Sequence, residues 1–130
     1  MSSRMNILIV EDNEMSQLLI EKQFENIGHK PKVVGSGREA LAELCYNDYH
    51  LILMDLKMDG LDGFEATKLI RSNNYIHQPE IFALSASYTL EEKKRCTAYG
   101  MNGFINKPTS VEMFRNIVRK ITLKNSLNSI

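Results

Sequence analysis

Cysteine is scarce in this chain: there are two, Cys45 and Cys96, in 130 residues. Neither has CxxC spacing or a nearby histidine cluster, so they read as reduced core or surface thiols of a reducing compartment. A disulfide framework and a cysteine-based metal site are set aside. Net charge is also lacking. Lys+Arg and Asp+Glu both number 16, a balance that gives no global pull toward nucleic acid or anionic membrane. No basic helix suited to reading DNA is present. No apolar run approaches the roughly 20 residues a spanning helix needs, so no membrane insertion is expected. The opening MSSRMN is polar and too short for a signal peptide, which points to a cytoplasmic location. The three histidines, His29, His50 and His77, are scattered near element ends and read as loop or strand-edge residues. What remains is an ordinary globular composition, 43% hydrophobic, long enough for one domain with its own core.

Short apolar runs alternate with longer amphipathic stretches. MNILIV (5–10), KVV (32–34), HLILMD (50–55), EIFALS (80–85) and GFIN (103–106) have strand length. The third and fourth runs barely alternate in polarity, which suits strands covered on both faces of a parallel sheet. KVV follows Pro31 and suits an edge. Helical spacing is expected over 14–27, 37–46, 63–71, 90–99 and 110–121, with Gly28 and Gly100 as stops and Ser110 as an N-cap. Residues 90–99 are half charged, and their KKR run (93–95) reads as a solvated or partner-facing surface. Residues 1–4 are taken as an N-terminal extension, and 122–130 as a tail or linker with little to bury. The alternation predicts an α/β domain of (βα)5 type, with helices on both faces of a parallel sheet.

Such sheets present ligand sites at the carboxyl ends of their strands. Glu11 and Asp12 follow the first strand, Asp55 ends the third, and Ser85 ends the fourth with the small Ala86 after it. Lys107 follows the fifth. Three carboxylates in one pocket repel each other unless something positive joins them. A hard divalent cation such as Mg²⁺ suits a few carboxylates and phosphate oxygens, and a lysine is a mobile point charge for phosphate. These groups read together as a phosphoryl-transfer site with one carboxylate as acceptor. Pro108 after Lys107 cannot continue a ladder, and a cis bond there would turn the chain and aim the lysine.

The segments ILIVEDNE (7–14), LILMDLKMDGLDGFEATKLIR (51–71), FALSAS (82–87) and GFINKP (103–108) resemble, in order and spacing, the receiver domains of two-component response regulators. The resemblance covers about residues 5–121. It implies a doubly wound, flavodoxin-like five-stranded parallel sheet in the order 2-1-3-4-5. It implies Asp55 as phosphoacceptor, and Mg²⁺ held by Asp12, by Glu11 through water, by Asp55 and by the Lys57 backbone carbonyl. Ser85 would hydrogen-bond the phosphoryl group, with Ala86 leaving it room, Lys107 would pair with a phosphoryl oxygen, and Phe104 would be the aromatic switch. The implied donor is a sensor histidine kinase or histidine phosphotransfer protein. The implied state is a monomer or a weak phosphorylation-linked dimer. Such a domain phosphorylates and dephosphorylates itself rather than turning over a substrate. Asn13 and the stretch DGFEATKLIR (62–71) look more like the receivers of hybrid sensor kinases.

Two residues depart from the family pattern. Met58-Asp59 stands where Met-Pro is usual, which leaves a looser loop with an added negative charge. Phe104 in place of tyrosine removes a hydroxyl from the switch. Rival readings fit less. VVGSGREA (33–40) imitates a dinucleotide-binding turn, but it leaves the strand-end acids, Ser85 and Lys107 unexplained. A tight turn with an N-cap accounts for it. A dehalogenase-like phosphatase would need DxD at its nucleophile, and Asp55 is followed by Leu56 and Lys57. A degenerate receiver acting as a constitutive interaction module would be expected to have lost an acid or the lysine, and all are present.

Overall fold

The runs ILIV and LILMD are buried residue by residue, which requires cover on both sides of the sheet they form. The computed structural model describes residues 5–87 and 89–128. Five strands alternate with five helices: β1 (Ile7–Val10), α1 (Glu14–Glu25), β2 (Lys32–Val34), α2 (Gly37–Leu44), β3 (Leu51–Asp55), α3 (Gly63–Arg71), β4 (Glu80–Ser85), α4 (Leu90–Ala98), β5 (Gly103–Asn106) and α5 (Val111–Asn128). Every strand pair is parallel, and the order is β2-β1-β3-β4-β5. The chain therefore steps outward from β1 to β2 and returns past β1 to β3, so the winding reverses between β1 and β3. β2, behind Pro31, is an edge strand as its sequence suggests.

Alternate strand residues divide the core in two. Leu8, Val10, Ile52, Met54, Ile81 and Ala83 meet Ala40, Phe64, Ile70 and Cys96, so α2, α3 and α4 cover one face. Ile7, Ile9, Leu51, Leu53, Leu84 and Ile105 meet Ile20, Phe24, Phe114 and Ile121, so α1 and α5 cover the other. Phe24 and Phe114 stack with ring centroids 4.4 Å apart and tie those two helices together.

Each helix begins at a side-chain oxygen that accepts an otherwise orphaned N–H. Asn13, Ser36, Asp62 and Thr89 serve α1 to α4, and Ser110 Oγ accepts from Met113 N–H at 3.2 Å. The GSG turn of 35–37 is one of these capped starts, closed by the Gly35 N–H donating to Glu39 Oε2 at 2.6 Å. The expected stops Gly28 and Gly100 both have positive φ, 85° and 99°.

One boundary differs from expectation in kind. α5 was expected to end at 121, yet it runs to Asn128. Lys124 Nζ reaches Glu80 Oε2 at 3.1 Å, so the helix continues on a polar contact to the start of β4 after its apolar stripe has ended at Ile121. Residues 1–4, and 129–130 of the expected tail, lie outside the described residues. Cys45 is exposed, Cys96 is buried, and both are free thiols. His50 Nδ1 accepts from Asn6 N–H at 2.9 Å, a bond just before the starts of β1 and β3. Lys93, Lys94 and Arg95 are exposed, with the Arg95 guanidinium 4.0 Å over the Phe64 ring. No helix among the described residues is long and apolar enough to cross a membrane.

Candidate functional site

Strand register brings the polar ends together. Val10 pairs with Met54, Asp55 with Leu84, and Ser85 with Asn106, so four strands finish at one level. Their ends open on a cleft of about 240 Å³ whose lining includes Glu11, Asp12, Asp55, Lys57, Ser85, Ala86 and Lys107. All the sequence-expected site residues except Phe104 meet here.

Glu11 is buried. Its Oε1 accepts from Lys107 Nζ at 2.7 Å, its Oε2 from Asn13 N–H at 3.1 Å, and its carbonyl from Gln17 Nε2 at 2.6 Å. Asp55 is buried beside it. Oδ1 accepts from Lys57 N–H at 3.2 Å, and Oδ2 lies 3.6 Å from Lys107 Nζ. Burial first, then the neighbouring Glu11, pushes the Asp55 carboxyl up to about 7, against the opposing pull of Lys107 and the Lys57 N–H. Burial would raise Glu11 as well, but hydrogen bonds from Asp55, Lys107 and Asn13 hold it below the ordinary carboxylate value. Burial works against the Lys107 ammonium, yet the Glu11 hydrogen bond and the Asp55 charge hold it above the ordinary lysine value. Of the two acids, Asp55 therefore holds a proton more readily, and Glu11 is the one the Lys107 ammonium keeps charged.

Exposed Asp12 adds a third acid. One carboxylate oxygen each from Glu11, Asp12 and Asp55 lie within 4.8 Å of one another. Three hard oxygen donors around one point, with the Lys107 ammonium against two of them, fit a divalent cation such as Mg²⁺. Asp59 is exposed and lines a neighbouring depression with Asp12, Lys57 and Asp62, beside the cleft rather than in it.

Ser85 is buried at the end of β4. Its hydroxyl donates to Glu92 Oε1 and accepts from Ser87 N–H at 2.9 Å. Phe104, paired with Ala83 in the sheet, is half-buried, and Lys93 Nζ lies 5.6 Å from its ring centroid. The Lys107–Pro108 bond is cis, as the KP step suggested, and the Lys107 N–H donates to the Ser85 carbonyl at 2.8 Å.

Three contributors escaped the sequence reading. Gly63 opens α3 so close to β3 that a Cβ there would fall 2.3 Å from the Asp55 carbonyl oxygen. Gln17 holds the Glu11 backbone. Glu92 bonds Ser85, and its only sequence cue is Thr89-x-x-Glu92, which reads as a capping box.

Residues 7–119 match the family described as response regulator receiver domain. Hybrid signal transduction histidine kinase K of Dictyostelium discoideum is 40% identical over 86% of this chain and 10% of its own length. Hybrid signal transduction histidine kinase F of the same organism is 34% identical over 91% of this chain and 11% of its own. The chain thus spans about a tenth of these relatives. Among solved structures, a sensor histidine kinase receiver domain from Pseudomonas aeruginosa, with a magnesium ion coordinated in its active site cleft, superposes with TM-score 0.82 and 30% identity. That likeness covers 91% of this chain and 97% of the other. The chemotaxis protein CheY4 of Vibrio cholerae shares the fold, with TM-score 0.84 at 24% identity over 92% of this chain and 99% of its own. A family match across nearly all of the folded unit, on a sheet wound in the expected order, makes this chain a response regulator receiver domain of two-component signalling.

Proposed function

We propose that this receiver accepts a phosphoryl group from a phosphohistidine donor onto Asp55, in a Mg²⁺-dependent reaction, and so alters the surface it offers a partner. The observation that carries this reading is the position of Asp55: buried at the strand end, with Lys107 Nζ 3.6 Å from one carboxylate oxygen. One Asp55 oxygen attacks phosphorus after the carboxyl has lost its proton. The phosphorus–nitrogen bond of the donor breaks, its electron pair stays on the imidazole nitrogen, and that nitrogen takes up a proton. The product is an acyl phosphate on Asp55. Lys107, already in the cleft, pairs with a phosphoryl oxygen, and the Ser85 hydroxyl donates to another. Glu11, Asp12, Asp55 and the Lys57 backbone carbonyl would hold Mg²⁺, which when bound supplies positive charge to the transferring group. Phe104 turning toward space vacated by Ser85 would pass the change to the surface formed by α4, β5 and α5.

The similarity to hybrid kinase receivers supports a histidine kinase or histidine phosphotransfer protein as donor. The working unit is taken as residues 5–121, with the rest of α5 as a helical extension. No observation favours a constitutive interaction module.

Intact-mass measurement after incubation with acetyl phosphate and Mg²⁺ tests the reading. One phosphoryl gain is expected in the wild type, and none in Asp55→Asn or with a chelator. A gain that survives Asp55→Asn would overturn the assignment.

A further inference from the structure

α4 starts with Thr89-Leu90-Glu91-Glu92, the spacing in which the glutamate ordinarily folds back to the N–H of the capping residue. That N–H is already occupied: Thr89 donates to Ser87 Oγ at 3.3 Å. Thr89 Oγ1 still caps the helix by accepting from Glu92 N–H at 3.2 Å. The Glu92 carboxylate is released from capping and accepts instead from the Ser85 hydroxyl. Glu92 is the single half-buried residue from Leu90 to Arg95, with exposed neighbours on either side.

Serine has one proton to donate. Ser85 commits it to Glu92, while Ser87 N–H fills an acceptor position at 2.9 Å. A phosphoryl oxygen on Asp55 gains the Ser85 hydroxyl as a donor only if Ser85 turns away from Glu92, so the dianion and the carboxylate compete for one donor. The next residue, Lys93, lies over the ring of Phe104, 5.6 Å from its centroid. Adjacent residues of α4 therefore hold both side chains assigned to the switch.

We propose that Glu92 is a positioning residue that commits the Ser85 hydroxyl to α4, and that with Lys93 over Phe104 it makes the first turn of α4 a latch on the unphosphorylated form. This rests on the phosphoacceptor reading of Asp55. Phosphorylation opens the latch when Ser85 turns from Glu92 to the phosphoryl group.

The test has two arms. In the first, the rate of phosphoryl gain from acetyl phosphate with Mg²⁺ is measured for wild type, Glu92→Ala, Glu92→Gln, Ser85→Ala and the Ser85→Ala/Glu92→Ala double variant. Glu92→Ala should gain roughly three- to tenfold faster, the worth of one ordinary intramolecular hydrogen bond. Glu92→Gln, which keeps an acceptor, should fall between it and wild type. Glu92→Ala should have no effect once Ser85 is gone. An unchanged or slower Glu92→Ala, or the same acceleration without Ser85, overturns the proposal. In the second arm, amide exchange is followed in the unphosphorylated protein. Ser85→Ala and Glu92→Ala should each speed exchange at Lys93 to Arg95. Should wild type take up no phosphoryl group, the function proposed above falls, and the exchange arm alone decides the latch. The same arm decides if Ser85→Ala abolishes the gain. Unchanged exchange in Ser85→Ala overturns it.

Discussion

Asp55 sits against Glu11 in a site where burial lifts its carboxyl to about 7, from an ordinary value of 3.8. The folded chain therefore holds this proton more tightly than the unfolded chain does. The stability it contributes is full below the ordinary value and is lost as pH rises through about 7. Asp55→Asn removes a charge that the metal-free fold bears at a cost. With a chelator at pH 8, the variant should melt roughly 5 °C above wild type, about what 1 kcal/mol is worth in a domain of this size. At pH 4 the two should melt together. Thermal unfolding at both values checks this, and a lower melting temperature for the variant at pH 8 would refute it. The residues of this site were readable because each follows a strand, and parallel strand ends share one edge. Which acid the lysine grips was not readable. Lys107 lies 96 positions from Glu11, and only strand register decides that it meets Glu11 at 2.7 Å and Asp55 at 3.6 Å. Glu92 was hidden for a different reason, since its local spacing already had an ordinary explanation as a cap.

Among the elements, β1 and β3 were plainest because burial on both faces leaves an unbroken apolar run. The end of α5 was obscure because Lys124 and its neighbours carry no apolar stripe, and the contact to Glu80 is tertiary. The two glycine-rich turns show how far local pattern misleads. GSG at 35–37 looks like a phosphate cradle, yet a Cβ at Gly35 would meet nothing nearer than 3.5 Å. Gly37 is tighter, with a Cβ there 3.0 Å from the Leu61 carbonyl oxygen, because it packs α2 against the approach to α3, and the quieter Gly63 is tighter still. Its Cβ would lie 2.3 Å from the Asp55 carbonyl oxygen and 3.0 Å from Leu56 Cα, both of them backbone atoms. Relief has to come from moving the end of β3 or the start of α3. Gly63→Ala should cost about 1–3 kcal/mol, the usual range for overpacking, and should slow phosphoryl gain because Asp55 moves with the strand. Gly35→Ala should leave both close to wild type. Urea unfolding and the acetyl phosphate assay on the two variants separate the cases. Equal stability of Gly63→Ala and Gly35→Ala would show that the α3 start is free to shift.

At the scale of the whole molecule, alternation gave five βα units without saying which strands would be neighbours, because pairing is a long-range property. The resemblance supplied the order, and the order is what makes the site: the winding reverses between β1 and β3, so Glu11 and Asp12 meet Asp55. A chain with 16 acids and 16 bases in this way gathers three carboxylates at one sheet edge. An ion that binds there binds the folded chain and not the unfolded one, so Mg²⁺ should stabilise by mass action. At ten times its dissociation constant the gain is about 1.4 kcal/mol, or several degrees in melting temperature. Asp12 is the acid to remove, because it is exposed and its loss disturbs no packing. Asp12→Ala should fold as well as wild type without metal, since it relieves repulsion, and should lose the Mg²⁺-dependent rise. Melting curves across a Mg²⁺ titration, at constant ionic strength to remove general screening, distinguish the two proteins. A rise of equal size in both would place the ion elsewhere on the surface. Glu11 and Asp55 would then be held by Lys107 and by the Asn13 and Lys57 N–H groups, with no ion between them and Asp12.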